Sequence, residues 1–393
     1  MGLAARYRHR RDPLKDLLLF FWVILVASLL MPFFSVSVSG TNVRIEDLAY
    51  FLIGGSFFVV SLARGKVRRT ELTPIALILF IIVFGFLASI GASRVDIISE
   101  ELVRAVGILF LAAGFGTLFW LPYEFYLAVL RVIVASGSVT LLAYIFQGVV
   151  LISSGYAIGA YSLKNQAGAI STLHINSIGA LSFLVIMAGM LLWKKGDRKL
   201  PIFGITLGAI LLLIFLIRRE IAGFIAASGY LLLFSQSRRI RFNTITFSLL
   251  GLLVTVLALG GETIKEAFYI DFSSGEGLAG RGELFAYGVQ FIVGQPLGFG
   301  FGGQEFIIRD ILGISSGNFH NTYLAYLIEV GVFGFVLFLV FLWHVWRGLK
   351  DPILKALFVW LLVASFFGPG LYFYKIQWFA LLMLYYVPRR IAR

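Results

Sequence analysis

His320 and Asn321 stand where a long polar stretch meets an apolar run, and after nine intervening residues the chain carries Gly331 and Gly334. Histidine has an ordinary pKa of about 6.5, so at physiological pH it can take a proton from a hydroxyl. Two adjacent arginines, Arg218 and Arg219, followed by Glu220, occupy a gap between two other apolar runs. A third arginine, Arg281, precedes a stretch from Glu283 to Val293 with apolar residues at helical spacing. The planar fork of arginine matches phosphate oxygens, and a helix start adds N–H donors for an anion. Cationic forks can hold a phosphate, and a neutral imidazole can accept a proton from a hydroxyl. Each feature also has a structural reading. The arginines can snorkel from a helical hairpin turn, Arg281 can be a solvated loop residue, and His320 with Asn321 can cap a helix.

The elements that must position these residues are membrane helices. Of the 393 residues, 60% are hydrophobic and 13% charged, against about 25% charged in a soluble domain. Apolar runs long enough to cross a bilayer recur along the whole chain, at roughly 16–35, 47–63, 73–92, 103–120, 126–152, 172–193, 200–217, 221–236, 243–260, 321–346, 353–369 and 371–388. The pattern predicts an all-α, polytopic, single integral membrane domain over 1–393 with about twelve spans. The basic start, Arg6 to Arg11, precedes an apolar run without a plausible cleavage pattern, which reads as a retained first helix. The segments that alternate to one side hold 22 of the 33 basic residues. The positive-inside bias therefore puts both termini in the cytoplasm, and the net charge of +13 is mostly topology, not a nucleic-acid signature. Two loops on the other side exceed a simple turn. One, 153–171, contains Lys164, Asn165 and Gln166; the other, 261–320, contains Arg281 and the Gly-rich turn from Gln295 to Gly303.

The remaining candidates are weaker. Glu329 falls nine residues after His320 and reads either as a partner of the site or as a packing group. His174 with Asn176 reads as a polar helix start, and Arg104, Arg309, Asp310 and Lys164 as interface charges. His9 and His344 fall on the cytoplasmic side. No cysteine is present, which excludes disulfides and thiolate metal sites, and no His or carboxylate cluster has metal-ligand spacing. The expectation is no metal and no cofactor.

Taken together, these residues resemble the O-antigen ligase and polymerase superfamily, membrane glycosyltransferases of the GT-C type. His320, Asn321, Gly331 and Gly334 match the family's His-Asn, nine residues, Gly-x-x-Gly pattern. Gly280-Arg281, the helix after it and the turn from Gln295 to Gly300 follow the family as well. Relatives more often have Ser-Arg where this chain has Arg218-Arg219. Arg219 is taken as the equivalent because the small residues Ala222 and Gly223 follow it. The resemblance implies metal-independent, inverting transfer of a glycan from a polyprenyl (undecaprenyl) diphosphate carrier to a hydroxyl. The acceptor is lipid A–core or a growing glycan, on the periplasmic face of the inner membrane. It implies Arg219 and Arg281 on the diphosphate, His320 on the acceptor hydroxyl, and Arg218, Glu220, Asn321 and Tyr323 lining the substrate site.

Within the superfamily the alternatives are a ligase, a polymerase extending polyprenyl-linked repeats, and a protein O-oligosaccharyltransferase; the His-Asn motif and the modest loop favour the ligase. From another class, a transporter or flippase needs ionisable groups near the bilayer midplane, and Arg131 is the clearest basic residue deep in a run.

Overall fold

A computed structural model of the chain describes residues 13–30, 35–38, 41–64, 69–92, 98–121, 123–156, 175–215, 217–238, 241–242, 244–245, 279–313, 319–368 and 375–391. The chain is helical. In order it forms α1 (Pro13–Leu30), a hairpin of β1 (Ser35–Val38) and β2 (Thr41–Arg44), α2 (Ile45–Arg64), α3 (Arg69–Gly91), α4 (Ile98–Thr117) and α5 (Tyr123–Ser153). There follow α6 (Ile175–Lys194), α7 (Lys199–Phe215), α8 (Arg218–Phe234), α9 (Ala279–Gly294) and α10 (Gly303–Phe306), the last running into a π-helical turn (Ile307–Ile311). The chain ends with α11 (Thr322–Gly348), α12 (Pro352–Phe366) and α13 (Lys375–Ile391). The predicted span at 243–260 lies mostly outside the described residues.

Glu71–Gly91 and Tyr123–Ser153 are long and apolar enough to cross a membrane, and Thr322–Gly348 is so only when counted across its break at Gly331. Their outward side chains are apolar, as a hydrocarbon surround requires: Leu79, Phe80, Leu87, Phe146, Phe333 and Trp343 are all exposed. Apolar burial gives helices little reason to associate inside lipid, so close approach and interlocking do that work. α2 reaches α4 through Gly54, where a Cβ would fall 2.4 Å from the Phe110 carbonyl oxygen. α13 lies at the centre, packed on α4, α6, α11 and α12, and is buried all round from Ile376 to Tyr386. The Tyr386 hydroxyl lies 3.1 Å from the Glu71 carbonyl and 3.2 Å from that of Ala112, tying α13 to α3 and α4.

Two elements depart from the sequence reading. The first apolar run does not stay helical to Ser35; α1 stops at Leu30 and the antiparallel hairpin follows, with Val36 opposite Val43. The stretch Ser-Val-Ser-Val before Ser39-Gly40 alternates with the period of a strand, which is the signal for it. The second is α11. At Gly331 the backbone turns to φ 66°, ψ −176°, a region that only glycine occupies readily, and the helix breaks. In an unbroken helix Tyr326 and Phe338 would stand about 18 Å apart along the axis. Here their rings stack with centroids 4.2 Å apart, so 322–330 folds back over 332–348.

The Gly-rich turn explains the break. Helix carbonyls freed at a buried break need donors. Phe299 N–H donates to the Ile328 carbonyl (2.7 Å) and Gly300 N–H to that of Glu329 (3.0 Å), while Val332 N–H donates to the Pro296 carbonyl (2.9 Å). A Cβ at Gly331 would sit 2.3 Å from the Leu297 carbonyl oxygen, so the two backbones meet only because the residue is glycine. On its other side the turn docks on α3, with Phe301 N–H donating to Ser89 Oγ at 3.0 Å.

Candidate active site

The break directs the segment 322–330 over the end of α12, and its first residues are fastened one after another. Asn321 is the N-cap: its Oδ1 accepts from Leu324 N–H at 3.0 Å, which satisfies one of the donors orphaned at a helix start. Thr322 Oγ1 donates to the Gly368 carbonyl just past α12, at 3.0 Å. The Tyr323 hydroxyl donates to the Leu362 carbonyl, also at 3.0 Å. His320 precedes this pinned start with φ 52°; among the described residues no other non-glycine residue has a positive φ. Left-handed backbone at such a residue costs about 1–2 kcal/mol, and histidine is among the residue types that tolerate it best. Phe319 is buried on one side of His320 and Asn321 on the other, while His320 itself stays partly exposed. Capping is therefore the work of Asn321.

The adjacent arginines separate. Arg218 is exposed at the first position of α8, whereas Arg219 is buried. Helical phase decides this: Arg219 shares a face with Gly223 and Ala227, both buried, and that face packs on α12. Arg219 Nε donates to Glu220 Oε1 at 3.1 Å, and Glu220 Oε2 accepts from Trp360 Nε1 at 3.0 Å. Arg219 does not snorkel. Its side chain lies against Gly368, where a Cβ would come within 3.0 Å of Arg219 Cδ and 3.1 Å of Nη1. Gly368 thus touches Arg219 and accepts the Thr322 hydroxyl, which joins the Arg219 cluster to the start of α11, two residues from His320.

Arg281 reaches the same end through the backbone. Gly288 of α9 sits against Leu324, and Pro296 beyond α9 meets Val332. The contacts follow the same order along both segments, so α9 and 322–330 run in the same direction and the start of α9, with Arg281, lies at the His320 end. Leu284, Ile307, Ile308, Phe319, Leu324 and Ile328 form the small core that holds this arrangement. The opposite flank of α9 is apolar and exposed, at Phe285, Val289 and Val293.

The other predicted residues are held by protein partners where the structure describes them. Glu220, Asn321 and Tyr323 direct polar atoms to protein partners. Glu329 is buried at the break, where its carbonyl receives Gly300 N–H. Arg309 pairs with Glu305 one turn before it and not with its neighbour Asp310. Arg131 is not deep in the bundle: its Nε meets Asp197 Oδ2 at 2.8 Å in the turn between α6 and α7, with half of the side chain exposed. His174 and the stretch Lys164 to Gln166 lie outside the described residues. Among the described residues, no group of three or more His, Asp and Glu side chains comes together. Spacing gave no sign of Trp360, Thr322 or Gly368. No family model, curated protein or solved structure matches the chain.

Proposed function

We propose that the chain is a membrane glycosyltransferase of the O-antigen ligase kind, which moves a glycan from a polyprenyl diphosphate carrier to an acceptor hydroxyl. The observation that carries the reading is the meeting of a buried arginine, Arg219, with the pinned start of α11 through Gly368. A charged side chain at membrane depth costs about 2.5–3.5 kcal/mol on insertion scales, and such groups commonly mark ligand sites. In the proposed reaction Arg219 and Arg281 bind the diphosphate and offset the negative charge that grows on it as the sugar–phosphate bond breaks. His320 takes the proton of the acceptor hydroxyl, whose oxygen attacks the anomeric carbon from the opposite face. The products are an inverted glycosidic bond and free polyprenyl diphosphate, without a metal ion. Arg218, exposed beside Arg219, stands at the rim, and Tyr323 with the buried side chains of Glu220 and Asn321 completes the proposed substrate site behind it.

The same reading gives the chain twelve spans in the inner membrane with both termini cytoplasmic. The stretch 261–320 is then a periplasmic loop, and membrane lipids surround the apolar belt. Lipid A–core is the favoured acceptor, with a growing polyprenyl-linked glycan as the alternative. The test is transfer by purified protein in vesicles supplied with polyprenyl-diphosphate glycan and a chelator, with lipid A–core added or omitted. One-step transfer that needs lipid A–core is the expected result. A ladder of longer polyprenyl-linked chains without it makes the protein a polymerase, and no transfer by folded protein ends the reading.

A further inference from the structure

We propose that Trp360 and Glu220 are positioning residues that set the plane of the Arg219 guanidinium. The proposal rests on the reading of Arg219 as a ligand of the diphosphate. The Glu220 carboxylate has a donor on each oxygen, Arg219 Nε at 3.1 Å and Trp360 Nε1 at 3.0 Å. It cannot rotate without losing a charge-assisted hydrogen bond. A bond to Nε also restrains the guanidinium close to the last torsion of the side chain, the one that turns its plane. All three residues are buried, with Arg219 6%, Glu220 1% and Trp360 3% exposed.

The surroundings are cut to fit this relay. A Cβ at Gly223 of α8 would lie 2.3 Å from Trp360 Cδ1 and 2.9 Å from Nε1. A Cβ at Gly179 of α6 would lie 2.8 Å from Glu220 Cγ, and one at Gly368 would lie 3.0 Å from Arg219 Cδ. Each member of the relay therefore has a glycine, from a different segment, where a side chain would displace it. The indole is further fixed between Phe183 and Phe224, with ring centroids 5.2 Å and 5.4 Å away. A tie between α8 and α12 needs only the Trp360 hydrogen bond to Glu220, or apolar packing of the same volume. It would need neither the ion pair within α8 nor the three gaps. The arrangement suits an arginine whose direction matters.

The experiment measures binding of undecaprenyl diphosphate to the purified full chain, alongside its melting temperature. Arg219→Ala should lose binding about a hundredfold. Trp360→Phe keeps the packing but removes the N–H, and Glu220→Gln keeps the volume but presents one acceptor to two donors. Each should weaken binding by about tenfold, the loss of one charge-assisted bond. In an Arg219→Lys background, which has no guanidinium plane to set, Trp360→Phe should add less than a twofold loss. A merely structural tie would lower the melting temperature without changing the affinity of folded protein, and its effects would add in both backgrounds. If Arg219→Ala binds weakly while Trp360→Phe and Glu220→Gln bind like the wild type, the relay is wrong and the ligand role of Arg219 stands. If Arg219→Ala binds like the wild type, the reading beneath the relay fails first. Glu220→Gln carries the same test should Trp360→Phe not fold.

Discussion

Two charged clusters of the helical bundle are built in opposite ways. In the cluster formed by the turn between α6 and α7 and the start of α12, Arg131 pairs with Asp197 and Lys194 with Asp351, all partly exposed. Lys355 lies over the Trp346 ring, and Asp351 caps α12 by accepting from Ile353 N–H at 2.8 Å. These are interface charges, each worth a few tenths of a kcal/mol to about 1 kcal/mol. In the cluster where α8 begins, the ion pair is buried, with Arg219 and Glu220 side chains 6% and 2% exposed. Desolvating two charges costs several kcal/mol per ion, and mutual attraction offsets this only when the geometry is good. One cluster keeps its charges partly exposed; the other buries an arginine beside its carboxylate. On the proposed function, the buried cluster is the one that meets the diphosphate.

The contrast can be broken by substitution. The largest effect is expected from Glu220→Ala, which leaves the Arg219 charge buried without its carboxylate and removes the acceptor of the Trp360 N–H. Loss of one partner from a buried pair destabilises by about 3–5 kcal/mol. Thermal or denaturant unfolding in detergent checks this, and a change below about 1 kcal/mol would mean that the pair is hydrated. Gly331→Ala comes next. Its Cβ would meet the Leu297 carbonyl oxygen at 2.3 Å, with the backbone at φ 66°. Strain and overpacking together predict a loss of about 3 kcal/mol. The damage should be greatest at the His320 end, read as faster proteolysis between α9 and α11. Arg131→Gln should be the mildest, within about 0.5 kcal/mol. A large effect there would erase the distinction between the clusters.

How far the sequence discloses this molecule depends on what kind of contact makes each feature. Apolar runs disclose the helices because a membrane span must be apolar along its length. Val36 and Val38, alternating with serines, disclose a hairpin only if the period of two is noticed inside an otherwise helical pattern. The break in α11 is harder to see. Gly331 and Gly334 stand out by spacing, but the apolar pattern runs straight through them. The cause of the break, the backbone of Leu297 and Gly298, lies more than thirty residues away. Ala222 and Gly223 single out Arg219 in the sequence only through the family likeness; that Gly223 and Ala227 share its buried face and let α12 approach is visible in the structure alone. Trp360 was not legible: an aromatic residue within an apolar helix carries no mark of a glutamate partner on another helix. Nor did Arg131 betray its surface position, since depth along a run says nothing of the Asp197 turn that folds against it.

The account turns on the claim that chemistry occurs at the buried-charge cluster, and one comparison tests it most directly. Glycan transfer from polyprenyl diphosphate is measured in vesicles for the wild type, Arg219→Ala, Arg281→Ala, His320→Ala and Arg131→Gln, with folded protein matched between samples. The account predicts losses of about a hundredfold or more in kcat/KM for the first three variants. Arg131→Gln should stay within about twofold of the wild type. Full activity in both the Arg219 and the Arg281 variants, or a loss in Arg131→Gln as deep as theirs, would contradict it.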